Sequence, residues 1–151
     1  MLCYFRAVDS KLHRYVSVHC HRWAIIIFLS GAGSLRLAAM DTIFSKIIER
    51  KIPADIVYED DLCLAFRDVN PQAPIHILIV PKKPLPKIAD AGQTDQPLLG
   101  HLLLTANRIA GELGVSGAFR LVVNNGADAG QSVFHLHIHL LAGRTFNWPP
   151  G

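Results

Sequence analysis

The stretch His135-Leu136-His137-Ile138-His139-Leu140-Leu141 restricts what this chain can fold into more than any other. Polar and apolar residues alternate with period two, the pattern of a strand with one covered face. Such a strand directs Leu136, Ile138 and Leu140 to a core. It leaves His135, His137 and His139 together on the opposite face, with the Cα atoms of successive histidines about 6.6 Å apart. Three clustered imidazoles are poor core material and resist joint protonation, so this face points to chemistry. Two chemistries fit. Grouped imidazoles can bind zinc, with His76 as a fourth ligand. Alternatively, one imidazole is a nucleophile whose neighbours fix its tautomer and handle protons.

The loop ahead of the histidines favours the second. Asn124-Asn125-Gly126-Ala127-Asp128-Ala129-Gly130-Gln131-Ser132 supplies small residues, amide and hydroxyl donors, and glycines that let main-chain N–H groups approach an anion. Those features suit a phosphate better than a closed metal cage. Cys3, Cys20 and Cys63 are too few and too scattered for a disulfide framework or a paired-cysteine zinc site.

The same reading places the other elements. Asp41-Thr42 offers an N-cap to a short amphipathic helix carrying Ile43, Phe44, Ile47 and Ile48, which Pro53 ends. Strands are expected near 55–59 and 62–68, then at His76–Val80, stopped by Pro81, with the turn Asn70–Pro74 between. A loop with Pro84 and Pro86 leads to Thr94-Asp95, an N-cap for a long helix over about 95–113 that Gly114 ends. Phe119–Val123 and His135–Leu141 complete five short strands, the composition of an antiparallel α+β domain.

The 151 residues carry a net charge of +3, but unevenly. Residues 1–40 hold five basic and one acidic side chain (+4), and residues 41–151 hold ten and eleven (−1). The second part therefore has no basic excess for a nucleic-acid backbone, and no nucleic-acid partner is expected. The apolar run Trp23–Leu35 spans 13 residues, too short for a bilayer, which needs about 20; no membrane partner is expected for the domain. The first forty residues read as a disordered extension for which three origins stay open: a start actually at Met40, a mitochondrial transit peptide, or a secretion signal. Without import the expected compartment is the cytoplasm, with the nucleus beside it.

At HLHIHLL the chain resembles the histidine triad superfamily, whose signature alternates histidines with apolar residues. The resemblance continues through DTIFSKII, AFRDVNPQAPIH, IVPKK, VVNNGADAGQSV and the terminal NWPPG, covering residues 41–151. It is similar to the branch of histidine triad nucleotide-binding proteins, the adenosine phosphoramidases. That implies a five-stranded antiparallel sheet with one long and one short helix, a homodimer in which two sheets combine, and a purine nucleotide as substrate, with no cofactor and no metal. By motif, His137 is the implied nucleophile, attacking the α-phosphorus to form a nucleotidyl-histidine that water resolves. His135 and His139 flank it, His139 on the phosphate, and His76 supports and orients the nucleophile. Ser132 reaches the phosphate and leaving group, and Asn124 and Gly130 line the same pocket. Asp68 is implied as acceptor for the ribose hydroxyls, and Ile43, Phe44, Ile47, Phe66, Val69 and Leu78 as the apolar slot for the purine. Trp148 matches a position that reaches toward the partner subunit's site. Val69 and Asn125 depart from the Ile and Glu of the best-known members, and Cys63 has no neighbour with which to resemble the zinc-binding branch. The implied activity is hydrolysis of purine nucleoside phosphoramidates and acyl-adenylates. The alternative is a nucleotide-binding scaffold for protein interaction with incidental catalysis.

Overall fold

The computed structural model describes residues 41–150. The extension expected for residues 1–40, and its disorder, lie outside them.

The described chain is an α+β unit built on one antiparallel sheet. Helix α1 (Ile43–Ile48) is followed by strands β1 (Ile56–Glu59), β2 (Cys63–Arg67) and β3 (Ile75–Pro81), the long helix α2 (Gln96–Glu112), then β4 (Phe119–Val122) and β5 (Ile138–Ala142). The sheet order is β1-β2-β3-β5-β4, so the histidine-bearing β5 lies inside the sheet with β4 at the edge. Among the described residues no helix is long and apolar enough to cross a membrane.

Period-two alternation sorts each central strand between two apolar layers. Cys63 and Ala65, Ile77 and Ile79, and Leu136, Ile138 and Leu140 pack with Leu102, Ala106, Ile109 and Ala110 of α2. The other row of β2 and β3 (Leu64, Phe66, Leu78 and Val80) packs with Phe44 and Ile47 of α1. The histidines are on this second face. Burial of each such side chain contributes about 1.5–3 kcal/mol, and the two layers use it differently: α2 covers its face over seventeen residues, α1 over six.

Two local devices hold the helices. The Thr42 hydroxyl accepts from the Ser45 N–H at 3.1 Å while Ser45 Oγ accepts from the Thr42 N–H at 2.9 Å, a reciprocal capping box. Asp95 stands at the N-cap of α2, but its side chain makes no cap bond. It accepts instead from the Gly92 N–H at 2.9 Å and from Lys83 Nζ at 2.5 Å, closing the 3₁₀ turn ahead of the helix.

Two expectations are corrected. Pro81 does not stop β3 but is its last residue. Strand β5 begins at Ile138, not at His135. The register Ile79↔Ile138 would set Pro81 opposite Leu136, and proline brings no N–H to a ladder. The Pro81 carbonyl accepts from His135 Nε2 at 2.8 Å, and the Leu136 N–H donates to Leu85 O at 2.6 Å in the proline-rich loop. Alternation survives the loss of pairing: Leu136 remains in the α2 layer, with His135 and His137 on the other side.

Candidate functional site

Four imidazoles meet under α1. Successive ring centroids lie 4.9 Å apart for His137 and His139 and 5.1 Å apart for His139 and His76; the Phe44 ring stands edge-on to His137 at 5.2 Å and to His135 at 6.3 Å. His135, His137 and His76 are buried. The structure brings His76 onto His139, with Nε2 and Nδ1 2.9 Å apart, and not onto His137, the ring it was expected to orient. His137 is oriented by the main chain: its Nδ1 lies 2.7 Å from the His135 carbonyl. A carbonyl only accepts, so Nδ1 carries a proton, and in the neutral ring the lone pair is then on Nε2.

The setting favours the neutral form of His139, His76 and His135. Burial pushes the His139 pKa down to about 4, with His137 and His76 acting in the same direction against Asp68. Burial likewise lowers His76, opposed by the Asp68 carboxylate whose Oδ2 is 3.4 Å away. It lowers His135 too, against the Pro81 carbonyl. Neutral imidazoles are what nucleophilic attack and hydrogen-bond donation at neutral pH require.

The glycine-bearing loop is shaped by a residue that spacing did not single out. Gln131 is 2% exposed, and its amide is fully used: Oε1 accepts from the Gly126 N–H at 2.9 Å, and Nε2 donates to the carbonyls of Pro86 and Val133 at 2.8 and 3.0 Å. A glutamine inside a polar loop reads as one more donor, and only the three-dimensional contacts reveal it as the loop's anchor. Asn125 adds a second tie, its Oδ1 accepting from the Ala89 N–H at 2.8 Å. Gly126 and Gly130 have φ of +89° and +86°, a region that favours glycine. The Asn124 amide reaches the Gly130 carbonyl at 3.4 Å, and Ser132 is exposed where the loop returns to the histidines.

Of the apolar residues expected to form the purine slot, Phe44, Ile47, Phe66 and Leu78 share one buried cluster, whereas Ile43 is half-exposed. Val69 is fully exposed and outside that cluster, two residues beyond the end of β2. Asp68 faces His76 and its Oδ1 accepts from the Asn70 N–H at 2.8 Å. Trp148 is 85% exposed and belongs to neither apolar cluster.

Metal-binding donors converge in two groups among the described residues, and neither is the set of three strand histidines. In Asp68–His76–His139, a metal on His76 Nε2 would need the proton on Nδ1, where the Gln72 N–H already points from 3.1 Å. In Asp60–Cys63–His101, on the α2 face, both Asp60 oxygens are occupied: by the N–H groups of Leu62 and Cys63, by the Tyr58 hydroxyl and by His101. Burial pushes the Cys63 thiol up to about 11, away from the thiolate a metal needs.

Residues 49–146 match the HIT domain family model. The chain is 67% identical over 113 residues to an HIT-like protein of Synechocystis sp., covering 75% of this chain and 99% of that protein. Among solved structures, an HIT family hydrolase from Legionella pneumophila aligns with a TM-score of 0.71 and 47% identity, over 72% of this chain and 98% of that one. A histidine triad nucleotide-binding protein from Candida albicans aligns with a TM-score of 0.63 and 28% identity, over 72% and 82%.

Proposed function

Because this chain belongs to the HIT domain family, we propose that it is a purine nucleoside phosphoramidate hydrolase that works through a nucleotidyl-histidine intermediate. The observation that carries the reading is the His137 hydrogen bond to the His135 carbonyl, which leaves Nε2 as a free lone pair beside His139. In the first step Nε2 attacks the α-phosphorus, a P–Nε2 bond forms and the bond to the amine breaks; the departing amine takes up one proton. Positive charge that develops on the ring is stabilised through Nδ1–H by the same carbonyl. Water then attacks phosphorus, the P–Nε2 bond breaks, a proton is released and the nucleoside monophosphate leaves. Acyl-adenylates fit the same two displacements, with a carboxylate as the leaving group.

In this reading His139, Ser132, Asn124 and the loop around Gly130 bind the phosphoryl oxygens, and His135 and His76 orient the reacting rings. Asp68 accepts from the ribose hydroxyls, and the margin of the Phe44 cluster receives the base. A homodimer with joined sheets, Trp148 reaching the partner's site, belongs to the same reading. The hydrolase family member from Legionella and the nucleotide-binding member from Candida support the two halves of the function, bond cleavage and nucleotide recognition.

His137→Ala should abolish turnover of an adenosine phosphoramidate, a loss of 10³-fold or more on the order expected for a nucleophile, while AMP binding persists. Full activity in that variant refutes the assignment. Wild-type protein that binds the phosphoramidate and releases it unchanged would instead favour the scaffold. For the extension, a native N-terminus near Asp41 lacking Met40 supports a processed import signal, and initiation at Met40 excludes one.

A further inference from the structure

The turn between β2 and β3 is tied to the catalytic face through one main-chain group. The Gln72 N–H donates to His76 Nδ1 at 3.1 Å. An N–H can only donate, so a neutral His76 carries its proton on Nε2. That Nε2 lies 2.9 Å from His139 Nδ1, with Asp68 Oδ2 at 3.4 Å facing the same N–H. His139 Nδ1 must then accept, and its own proton sits on Nε2, a buried atom with no partner among the described residues. His137 has the opposite placement because its Nδ1 meets a carbonyl.

The donor end of this chain is itself braced. Gln72 bonds its own turn through Nε2 to Asn70 O at 3.0 Å. Immediately after β5, Gly143 (φ +88°) presses on Pro74 so closely that a Cβ there would lie 2.9 Å from the Pro74 Cβ. Arg144 Nε donates to Gln72 O at 3.3 Å. The Arg144 and Arg120 guanidiniums lie over the Phe146 ring, 4.2 and 4.8 Å from its centroid, and Arg120 Nη2 donates to Asn147 O at 2.7 Å, which fastens the C-terminal segment to the edge strand β4.

We propose, resting on the nucleotidyl-transfer reading of the site, that the Gln72 main-chain N–H, braced by Gly143 and Arg144, presets His139 as a hydrogen-bond donor to the phosphoryl group by way of His76. Gln72, Gly143 and Arg144 are positioning residues, and none need touch substrate. The relay explains how two histidines two positions apart take complementary roles, one offering a lone pair and one offering a proton, without a lysine or arginine between them.

The test is the tautomer itself, read from long-range proton–nitrogen correlation spectra of protein labelled with ¹⁵N-histidine at pH 7.5. His76 and His139 should carry Nε2–H, and His137 Nδ1–H. Gln72→Pro deletes the N–H, and should shift the His76 and His139 resonances toward mixed tautomers. It should also lower kcat about 10-fold, part of the 10²–10⁴ that a placed proton donor contributes, with the affinity for adenosine, which lacks the phosphate, held within about twofold. Gln72→Ala keeps the N–H and should keep the wild-type tautomers. Should Gln72→Pro fail to fold, Arg144→Ala, which loosens the brace, should move the same resonances in the same direction. Wild-type His139 carrying Nδ1–H overturns the relay, as do unshifted His76 and His139 resonances in the variant that folds. Protein with the assigned tautomers that turns over no phosphoramidate supports the relay and refutes the hydrolase reading.

Discussion

Histidines 76, 135 and 139 are kept neutral chiefly by burial, His139 down to about 4, whereas in an unfolded chain each would titrate near its ordinary value of about 6.5. Between those values the unfolded chain binds more protons than the folded one, so stability rises with pH through the window. It is complete above about 6.5 and is lost on acidification toward 4. The melting temperature should therefore fall steadily from pH 7.5 to 4.5, and a flat profile would contradict neutral burial of the three rings. Gln131 makes a second residue-scale case. Gln131→Ala strands the Gly126 N–H and the Pro86 carbonyl, and an unsatisfied buried group costs about 1–3 kcal/mol. Chemical denaturation should show a loss of that order, with nucleotide affinity weakened as well because the loop loses its shape. Neither residue effect was visible in spacing: His76 was expected to serve His137, and Gln131 was one polar residue among several.

Among the elements, those governed by local rules were legible in advance. Alternation in Leu62–Phe66 and in the histidine stretch, the apolar run at 76–80 and the Thr42 cap all mark elements that form within a few residues of their expected bounds. The divergences arise from partners distant in sequence. Pro81 leaves β5 short because the two residues meet across the sheet, fifty-five positions apart, and Asp95 gives up its cap bond to Gly92 and Lys83. Val69 stands two residues past the end of β2, exposed and outside the Phe44 cluster, where strand alternation no longer sets the direction of a side chain. Helix α1 has six residues, too few to persist without its cap and its apolar contacts. Thr42→Ala should cost about 1 kcal/mol; since Phe44 rides on this helix against His137, KM should rise more than the melting temperature falls. Equal sensitivity of KM in a variant on the solvent side of α1, such as Lys46→Ala, would argue against that coupling.

Across the whole described molecule, the sheet separates two jobs. The α2 face holds a continuous apolar core, and the α1 face holds the imidazoles, the loop anchored by Gln131 and the turn braced by Arg144. Leu102→Ala or Ile109→Ala, each truncating a fully buried side chain, should cost about 2–5 kcal/mol while leaving kcat per folded molecule unchanged. A matching loss of kcat would show that the layers are not independent. The charge balance belongs to this scale too: residues 41–151 sum to −1, so in the proposed function recognition of one phosphate is assigned to imidazoles, amides and a hydroxyl rather than to a basic patch. The partition has a consequence for how such a protein changes over generations. Drift in the α2 layer is filtered by abundance and drift in the α1 layer by turnover, so a lineage can acquire robustness on one side and then spend it exploring new leaving groups on the other. A saturation library scored in parallel for cellular level and for catalysis would resolve into two populations of positions, divided by the plane of the sheet.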